Sequence, residues 1–310
     1  MNLLALFSIA VFASEAIVSP LPDNFSAGQY QITSIQDIKA ASDQATFGDL
    51  INKEISIDSE AVLGEQTADL INPESENSTS SNTLPRNQVQ SKSIKIAMLG
   101  DSMVDTLGPG LPHLESELQK IYPTVNFSLF NHGVGATNID YGLQRIANDY
   151  TYLGTNITSL VSNNPDIVII ESFAYNPFSY DEGALDHHWL SLAKAVDSIN
   201  NHLPNASIMI ASTIAPNNTV FGDGAPSVFF SAEDKRARTN NINKYLDNAV
   251  KFALSQNLPL ANAYTPSIGP SGTGKLEYIN AGDHIHYSDS GRIFFSQIIA
   301  QTIYSNNLIQ

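Results

Sequence analysis

The amino-acid sequence predicts an α/β protein, a three-layer α/β/α sandwich in which helices cover both faces of a mainly parallel sheet of about five strands. From residue 93 onward, apolar runs of strand length alternate with helical patterns, which is the order typical of a parallel sheet. The runs are apolar throughout rather than at every second position, as expected for strands buried on both faces. With 310 residues and 42% hydrophobic content, the chain is able to fill such a core.

Five apolar runs predict the strands. They are residues 94–99, 125–130, 166–170 and 207–211, and a weaker run at 258–263. Apolar residues that recur every three or four positions predict helices between and after these runs. The helical stripes cover residues 114–121, 185–203, 242–253 and 294–303.

The first 91 residues have a different character. They carry a net charge of −9, whereas the following 219 residues carry only −7. The run 3–13 is apolar and too short to span a membrane, which is typical of a signal peptide. Small residues, Ser14 and Ala16, predict cleavage after Ala16, although no Lys or Arg precedes the apolar run. We therefore expect residues 1–16 to be a signal peptide and the protein to be exported, either extracellular or associated with the cell envelope.

Residues 17–91 are expected to be a tether. The segment 74–92 has almost no apolar side chains, so it cannot bury a core. The sequence thus predicts an acidic, low-complexity and mostly disordered tether over 17–91, followed by one folded domain over 92–310.

Composition argues against several classes of function. The chain has no cysteine, which excludes disulfides, thiolate nucleophiles and Cys-type zinc sites. A net charge of −16 makes a nucleic-acid partner unfavourable, because phosphate backbones attract basic surfaces. No apolar stretch reaches 18 residues, so we expect no membrane span in the mature chain. No cofactor and no resident metal are expected.

Chemically active side chains follow the predicted strands. Ser102 comes after the first strand, a glycine-rich segment at 131–137 after the second, and Asn176 after the third. Asp283 and His286 precede the last helix. Because ligands bind at the carboxyl ends of parallel strands, we expect these groups to meet at one edge of the sheet.

These residues have a shared chemical logic. A serine hydroxyl becomes a good nucleophile when a neighbouring base takes its proton, and His286 is the candidate base for Ser102. Asp283 lies three residues before His286 and is the candidate group to orient its imidazole. The backbone N–H of Ser102, that of Gly135 and the side-chain amide of Asn176 are candidate donors for an oxyanion hole.

Four blocks carry a resemblance to a known family. They are Gly100-Asp101-Ser102, residues 131–137, the Asn176 loop and Asp283-His284-Ile285-His286. In this order they resemble the SGNH/GDSL hydrolases, a family of serine esterases and lipases with a flavodoxin-like fold. The resemblance begins near residue 93 and covers none of residues 1–91. It implies that Ser102 is the nucleophile, His286 the base and Asp283 its partner, and that Gly135 and Asn176 are oxyanion donors.

Three positions depart from the family pattern. The glycine block is one residue shorter than the common spacing, which makes Gly133 an alternative donor to Gly135. The third block reads Ala174-Tyr175-Asn176-Pro177, whereas the family usually has Gly-x-Asn-Asp. Tyr287 stands after the base, where the family often has proline.

The sequence therefore predicts a serine hydrolase that cleaves carboxylic esters through an acyl-enzyme. The expected partners are small-molecule or glycan esters, with small acyl or O-acetyl groups. One alternative is a non-catalytic module that binds a glycan or another ligand on the same fold, which the altered Asn176 loop suggests. Another is a metal-dependent hydrolase, which the His284-x-His286 pair suggests because such spacing can form part of a metal site.

Overall fold

The computed structural model describes residues 92–179, 181 and 183–309. The predicted signal peptide at 1–16 and the predicted tether at 17–91 lie outside these residues and remain predictions. Over the described ranges, no helix combines the length and the apolar character needed to cross a bilayer.

Strands and helices alternate along the chain in the predicted order. The strands are β1 Ser93–Gly100, β2 Asn126–Gly133, β3 Tyr150–Tyr152, β4 Thr155–Ile157, β5 Ile167–Glu171, β6 Ser207–Ser212 and β7 Leu260–Asn262. The helices are α1 Ser102–Asp105, α2 Pro112–Ile121, α3 Ile139–Ala147, α4 Ala184–His202, α5 Ala232–Ser255, α6 Tyr264–Ser267 and α7 Asp289–Ser305. Two single 3₁₀ turns, Leu160–Asn163 and Leu276–Tyr278, complete the described elements.

Five of the strands form one parallel sheet in the order β2-β1-β5-β6-β7. The predicted sheet is thus confirmed. Strands β1 and β5 are neighbours, although β2 lies between them in the sequence and pairs with the other side of β1. The chain leaves β1 toward β2 on one side and leaves β5 toward β6 on the other. This reversal opens a crevice between the carboxyl ends of β1 and β5.

Alternate residues of the strands pack into two separate hydrophobic cores, one on each face of the sheet. Ile96 and Met98 of β1 pack on the same face as helices α2 and α7. Ala97 and Leu99 pack on the opposite face with α3, α4 and α5. This alternation produces the three layers, and it explains why the strands are apolar at consecutive positions.

Some boundaries differ from the predictions. Strand β2 continues to Gly133 because residues 131–133 pair with the last residues of β1. Three of the seven residues of the glycine-rich segment are therefore strand rather than loop. Strand β7 is shorter than the run at 258–263. Helix α3 and the antiparallel hairpin formed by β3 and β4 were not predicted.

Candidate active site

Ser102 lies in a sharp turn from strand β1 into the short helix α1. Asp101 is the N-cap of this helix, and its Oδ1 accepts a hydrogen bond of 2.8 Å from the Met103 N–H. A Cβ on Gly100 would lie only 2.2 Å from Cγ2 of Val104, so only glycine fits this turn. The turn puts the partly exposed Ser102 at the carboxyl edge of the sheet, at the crevice between β1 and β5.

Asp283 and His286 lie on a loop that is closed at its base. Ile279 and Tyr287 form an isolated β-bridge, and the Asn280 N–H donates to the His286 carbonyl at 2.8 Å. Tyr287 is fully buried, and its hydroxyl bonds to Thr213. The tyrosine that replaces the common proline therefore anchors the loop to the core.

A hydrogen bond orients the His286 imidazole. Its Nδ1 lies 2.9 Å from Oδ2 of Asp283. The other carboxylate oxygen, Oδ1, accepts the backbone N–H groups of Ile285 and His286 at 2.8 and 3.0 Å. Both side chains are mostly buried, with 14% of His286 and 20% of Asp283 exposed. Because Nδ1 is occupied, the ring presents Nε2 for exchange of a proton.

The Asp283 carboxyl is held in its charged form. Burial acts to raise its pKa, but the hydrogen bond from His286, the Ile285 N–H and the charge of the imidazolium together outweigh burial. The pKa of Asp283 therefore lies below its ordinary value. A carboxylate that stays ionised is able to stabilise a protonated His286.

The imidazole of His286 lies in the electrostatic field of the Ser102 turn. Burial raises the pKa values of Asp101 and Asp105, the two carboxyls that flank Ser102 on either side, and the charge of His286 opposes this rise at both. Among the residues with described coordinates, the Ser102 hydroxyl makes no hydrogen bond to a protein group. The structure thus brings the predicted nucleophile, base and orienting acid to one edge of the sheet.

The two glycines of the second block have different surroundings. The Gly133 N–H donates to Oδ1 of Asn131 at 2.8 Å, and a Cβ on Gly133 would lie 2.2 Å from the Asp105 backbone nitrogen. A Cβ on Gly135 would lie 4.0 Å from the Ser102 Cβ. Gly135 therefore borders the nucleophile, whereas Gly133 is enclosed between β2 and α1. The Gly135 N–H is itself bonded, at 3.1 Å, to the hydroxyl of Tyr152.

Asn176 is tied to the nucleophile turn. Its Nδ2 donates to Oδ2 of Asp101 at 2.9 Å. A side-chain amide carries two N–H groups, so this bond fixes one of them and leaves the second for a ligand. Pro177 occupies the position of the usual family aspartate, and the bond from Asn176 to Asp101 is formed without that residue.

A buried pair of carboxyls beneath Ser102 was not assigned a role from the sequence. Asp101 and Glu171 are both fully buried, and the Asp101 N–H donates to Glu171. Glu171 also accepts the Ser172 hydroxyl at 2.5 Å and the Phe173 N–H at 2.8 Å. Burial, followed by the charge of Asp101, raises the pKa of Glu171 well above its ordinary value. Burial also raises the pKa of Asp101, against the hydrogen bond from Asn176.

The β3–β4 hairpin contributes Tyr152, a second group that sequence reasoning missed. The Tyr152 hydroxyl donates to Oδ2 of Asp105 at 2.8 Å. The available signal was the pattern of aromatic and β-branched residues at 150–157 around Leu153-Gly154. Both turn residues have positive φ, 48° and 77°, as a tight two-residue hairpin requires.

The two histidines of the His-x-His pair have different partners. Nδ1 of His284 bonds to the Asp223 carbonyl at 2.6 Å, whereas Nδ1 of His286 bonds to Asp283. Across the described ranges, no group of three or more His, Asp or Glu side chains is arranged to hold a metal ion. Within the described residues, the metal-dependent alternative thus has no candidate ligands other than His284 and His286.

The fold is shared with solved structures. No family model matches the sequence, and no curated protein matches it. A protein from Parabacteroides merdae described as a GDSL-like lipase is similar over 70% of this chain and 97% of its own, with 12% identity and a TM-score of 0.50. A lipase/acylhydrolase from Enterococcus faecalis covers 69% of this chain and 96% of its own, with 17% identity and a TM-score of 0.48. The acetyl xylan esterase AlAXEase is similar over 69% of this chain and 99% of its own, with 17% identity and a TM-score of 0.47.

At these identities the comparison establishes a common fold. The likeness to the Parabacteroides merdae structure covers 70% of the chain, which is close to the extent of the folded domain predicted at 92–310. The predicted resemblance to the SGNH/GDSL hydrolases is confirmed for the fold.

Proposed function

We propose that this protein is a carboxylic ester hydrolase that works through an acyl-enzyme on Ser102. The observation that carries the proposal is the Asp283–His286 hydrogen bond of 2.9 Å. It fixes the imidazole through Nδ1 at the same sheet edge as the Ser102 turn. The GDSL-like fold supports the same class of reaction.

In the first step, the Ser102 Oγ attacks the carbonyl carbon of the ester while Nε2 of His286 takes the hydroxyl proton. Asp283 stabilises the resulting imidazolium. The His286 proton then goes to the leaving alcohol as the bond between the carbonyl carbon and the alcohol oxygen breaks. Water repeats the sequence on the acyl-enzyme, which releases the acid and restores the Ser102 hydroxyl.

Negative charge on the tetrahedral intermediate requires donors. The Ser102 N–H and the second N–H of the Asn176 amide are assigned to this role, and the Gly135 N–H is assigned as the third donor. Gly133 is not used, because it is enclosed between β2 and α1 and its N–H is bonded to Asn131 in the same strand, whereas Gly135 borders Ser102. The bond from Asn176 to Asp101 holds the amide in place before substrate arrives.

The proposed substrates are esters with small acyl groups, including O-acetyl groups on glycans. This choice rests on the resemblance of the four sequence blocks to the SGNH/GDSL hydrolases. The signal-peptide pattern at residues 1–16 supports a place outside the cytoplasm, where glycan esters occur.

The test is labelling of the full chain with a fluorophosphonate probe, followed by intact mass measurement and peptide mapping. We expect one adduct on Ser102, which is lost in Ser102→Ala. Hydrolysis of p-nitrophenyl acetate should fall by about 10³-fold or more in that variant, since the nucleophile is removed. Ser116→Ala, at an exposed position on α2, is the matched control and should retain both properties.

The opposite result is equally informative. A folded wild-type protein without an adduct or turnover would overturn the hydrolase proposal. If the wild-type protein and Ser102→Ala also bound glycans equally tightly, the proposal of a non-catalytic binding module would replace the hydrolase proposal.

A further inference from the structure

The Tyr152 hydroxyl lies between two groups of the candidate active site. It accepts the Gly135 N–H at 3.1 Å and donates to Oδ2 of Asp105 at 2.8 Å. Both bonds link the β3–β4 hairpin to the segments that border Ser102. Asp105 is in the same short helix as Ser102, and Gly135 follows the end of β2.

The bond to Gly135 uses a donor that the proposed reaction needs. An oxyanion donor has to lie about 2.7–3.1 Å from the charged oxygen, and the Tyr152 oxygen already occupies that position relative to the Gly135 nitrogen. A Cβ on Gly135 would lie 3.0 Å from the same oxygen and 4.0 Å from the Ser102 Cβ. The hydroxyl therefore occupies space next to the nucleophile.

Resting on the proposed hydrolase function, we infer that Tyr152 masks the Gly135 N–H in the free protein, and that the substrate carbonyl displaces its hydroxyl. In the free protein, the tyrosine oxygen accepts the hydrogen bond that the oxyanion would accept during the reaction. The third donor becomes available only after Tyr152 has moved away.

The hairpin is short and has few strand residues to hold it in place, which favours such a movement. Strands β3 and β4 have three residues each and belong to a sheet of their own, and an isolated two-stranded hairpin is only marginally stable. Its root is anchored by the Tyr150 hydroxyl, which lies 3.1 Å from Nδ1 of His132. Its tip at Leu153 is 75% exposed. Tyr152 lies between the fixed root and the free tip.

The Asp105 partner complicates the simplest substitution. Tyr152→Phe frees the Gly135 N–H, but it also removes the hydroxyl that binds the Asp105 carboxylate beside the developing negative charge. Asp105→Asn removes that charge and keeps an acceptor for the tyrosine. Tyr152→Phe in the Asp105→Asn protein therefore reports on masking alone.

The experiment measures the second-order rate of fluorophosphonate labelling at Ser102 in the full chain. Relative to Asp105→Asn, we expect the Asp105→Asn/Tyr152→Phe protein to react about three- to tenfold faster, the factor that corresponds to one neutral hydrogen bond. The gain should appear in kcat/KM for p-nitrophenyl acetate as well. Tyr141→Phe, on α3 at a position that is 57% exposed, is the control and should leave the labelling rate within about twofold of wild type.

A crystal structure of the phosphonylated wild-type protein gives a measurement that needs no variant. We expect the Gly135 N–H to donate to the phosphonyl oxygen and the Tyr152 hydroxyl to have left it. A Tyr152 hydroxyl that stays on Gly135 in the adduct, or a double variant that reacts no faster than Asp105→Asn, would overturn the masking role. Failure of the proposed function would give a different result: neither wild type nor any variant would form an adduct on Ser102. The masking role would then be overturned as well.

Discussion

His286 depends on a single side chain for its orientation. Nδ1 of the imidazole bonds to Asp283, and the same carboxylate is fixed by the backbone N–H groups of Ile285 and His286. The acid and the base, three positions apart in the sequence, therefore lie in one compact turn. Such a turn selects the tautomer in which Nδ1 carries the proton and Nε2 is the acceptor, the form that a general base requires.

At this scale we expect Asp283→Asn to lower kcat for p-nitrophenyl acetate by about 10²–10⁴-fold, because an amide neither stabilises the imidazolium nor enforces that tautomer. KM should change little. The matched control is Asp289→Asn, whose carboxylate is 84% exposed and pairs with Arg292, and it should keep wild-type kcat. A reduction of less than about threefold in Asp283→Asn would show that His286 is oriented by other groups.

At the scale of secondary-structure elements, the site is assembled from the ends of strands and the turns that follow. β1 leads to Ser102, β2 to Gly135 and β5 to Asn176. The glycines at these ends allow neighbouring elements to approach closely. Gly133, for instance, lies against the backbone of α1, where a Cβ would come within 2.2 Å of the Asp105 nitrogen.

Gly133→Ala is therefore expected to push α1, and Ser102 with it, away from the end of β2. We expect a loss of about 1–3 kcal/mol in the free energy of unfolding, typical of overpacking, and at least a tenfold loss in kcat/KM. Urea denaturation and ester kinetics measure the two effects. Gly183→Ala has no atom within 4 Å of the new Cβ and should change stability by less than about 0.5 kcal/mol. Full activity in Gly133→Ala would contradict this account.

The length of each element determines whether it could be predicted from the sequence. Long elements carry several apolar positions, so the strands β1, β2, β5 and β6 and the helices α2, α4, α5 and α7 were predictable. The three-residue strand β7 was predictable because it lies within the longer apolar run 258–263. The hairpin strands have three residues each, too few for a period to be visible. The Tyr152–Asp105 contact spans 47 residues of sequence, and no local pattern encodes it. The partners of the glycine N–H groups depend on the exact register, so spacing left both Gly133 and Gly135 as candidates.

For the molecule as a whole, the buried carboxyls beneath Ser102 link folding to pH. Glu171 and Asp101 are fully buried at the ends of adjacent central strands, with Arg145 the nearby buried cation that favours the charged form of Asp101. The pKa of Glu171 is raised chiefly by burial, so the folded protein retains a proton that the unfolded chain releases. Stability should therefore decrease as pH rises above the ordinary glutamate pKa of 4.5.

Glu171→Gln tests this link, since the amide is neutral at every pH and the Ser172 hydroxyl is able to reverse its role and accept a hydrogen bond. Below the ordinary glutamate pKa both states of the wild type are protonated, and the variant should have no advantage. Above that pKa its free energy of unfolding should exceed that of wild type by an amount that grows with pH, by up to about 1.4 kcal/mol per unit, until the raised pKa of Glu171 in the folded protein is passed. Urea denaturation across this range measures the difference. Glu115→Gln, at an exposed position on α2, should show no such growth. Wild-type and Glu171→Gln curves that stay parallel would mean that Glu171 is ionised in the folded protein, with its charge balanced by the surrounding N–H donors and Arg145.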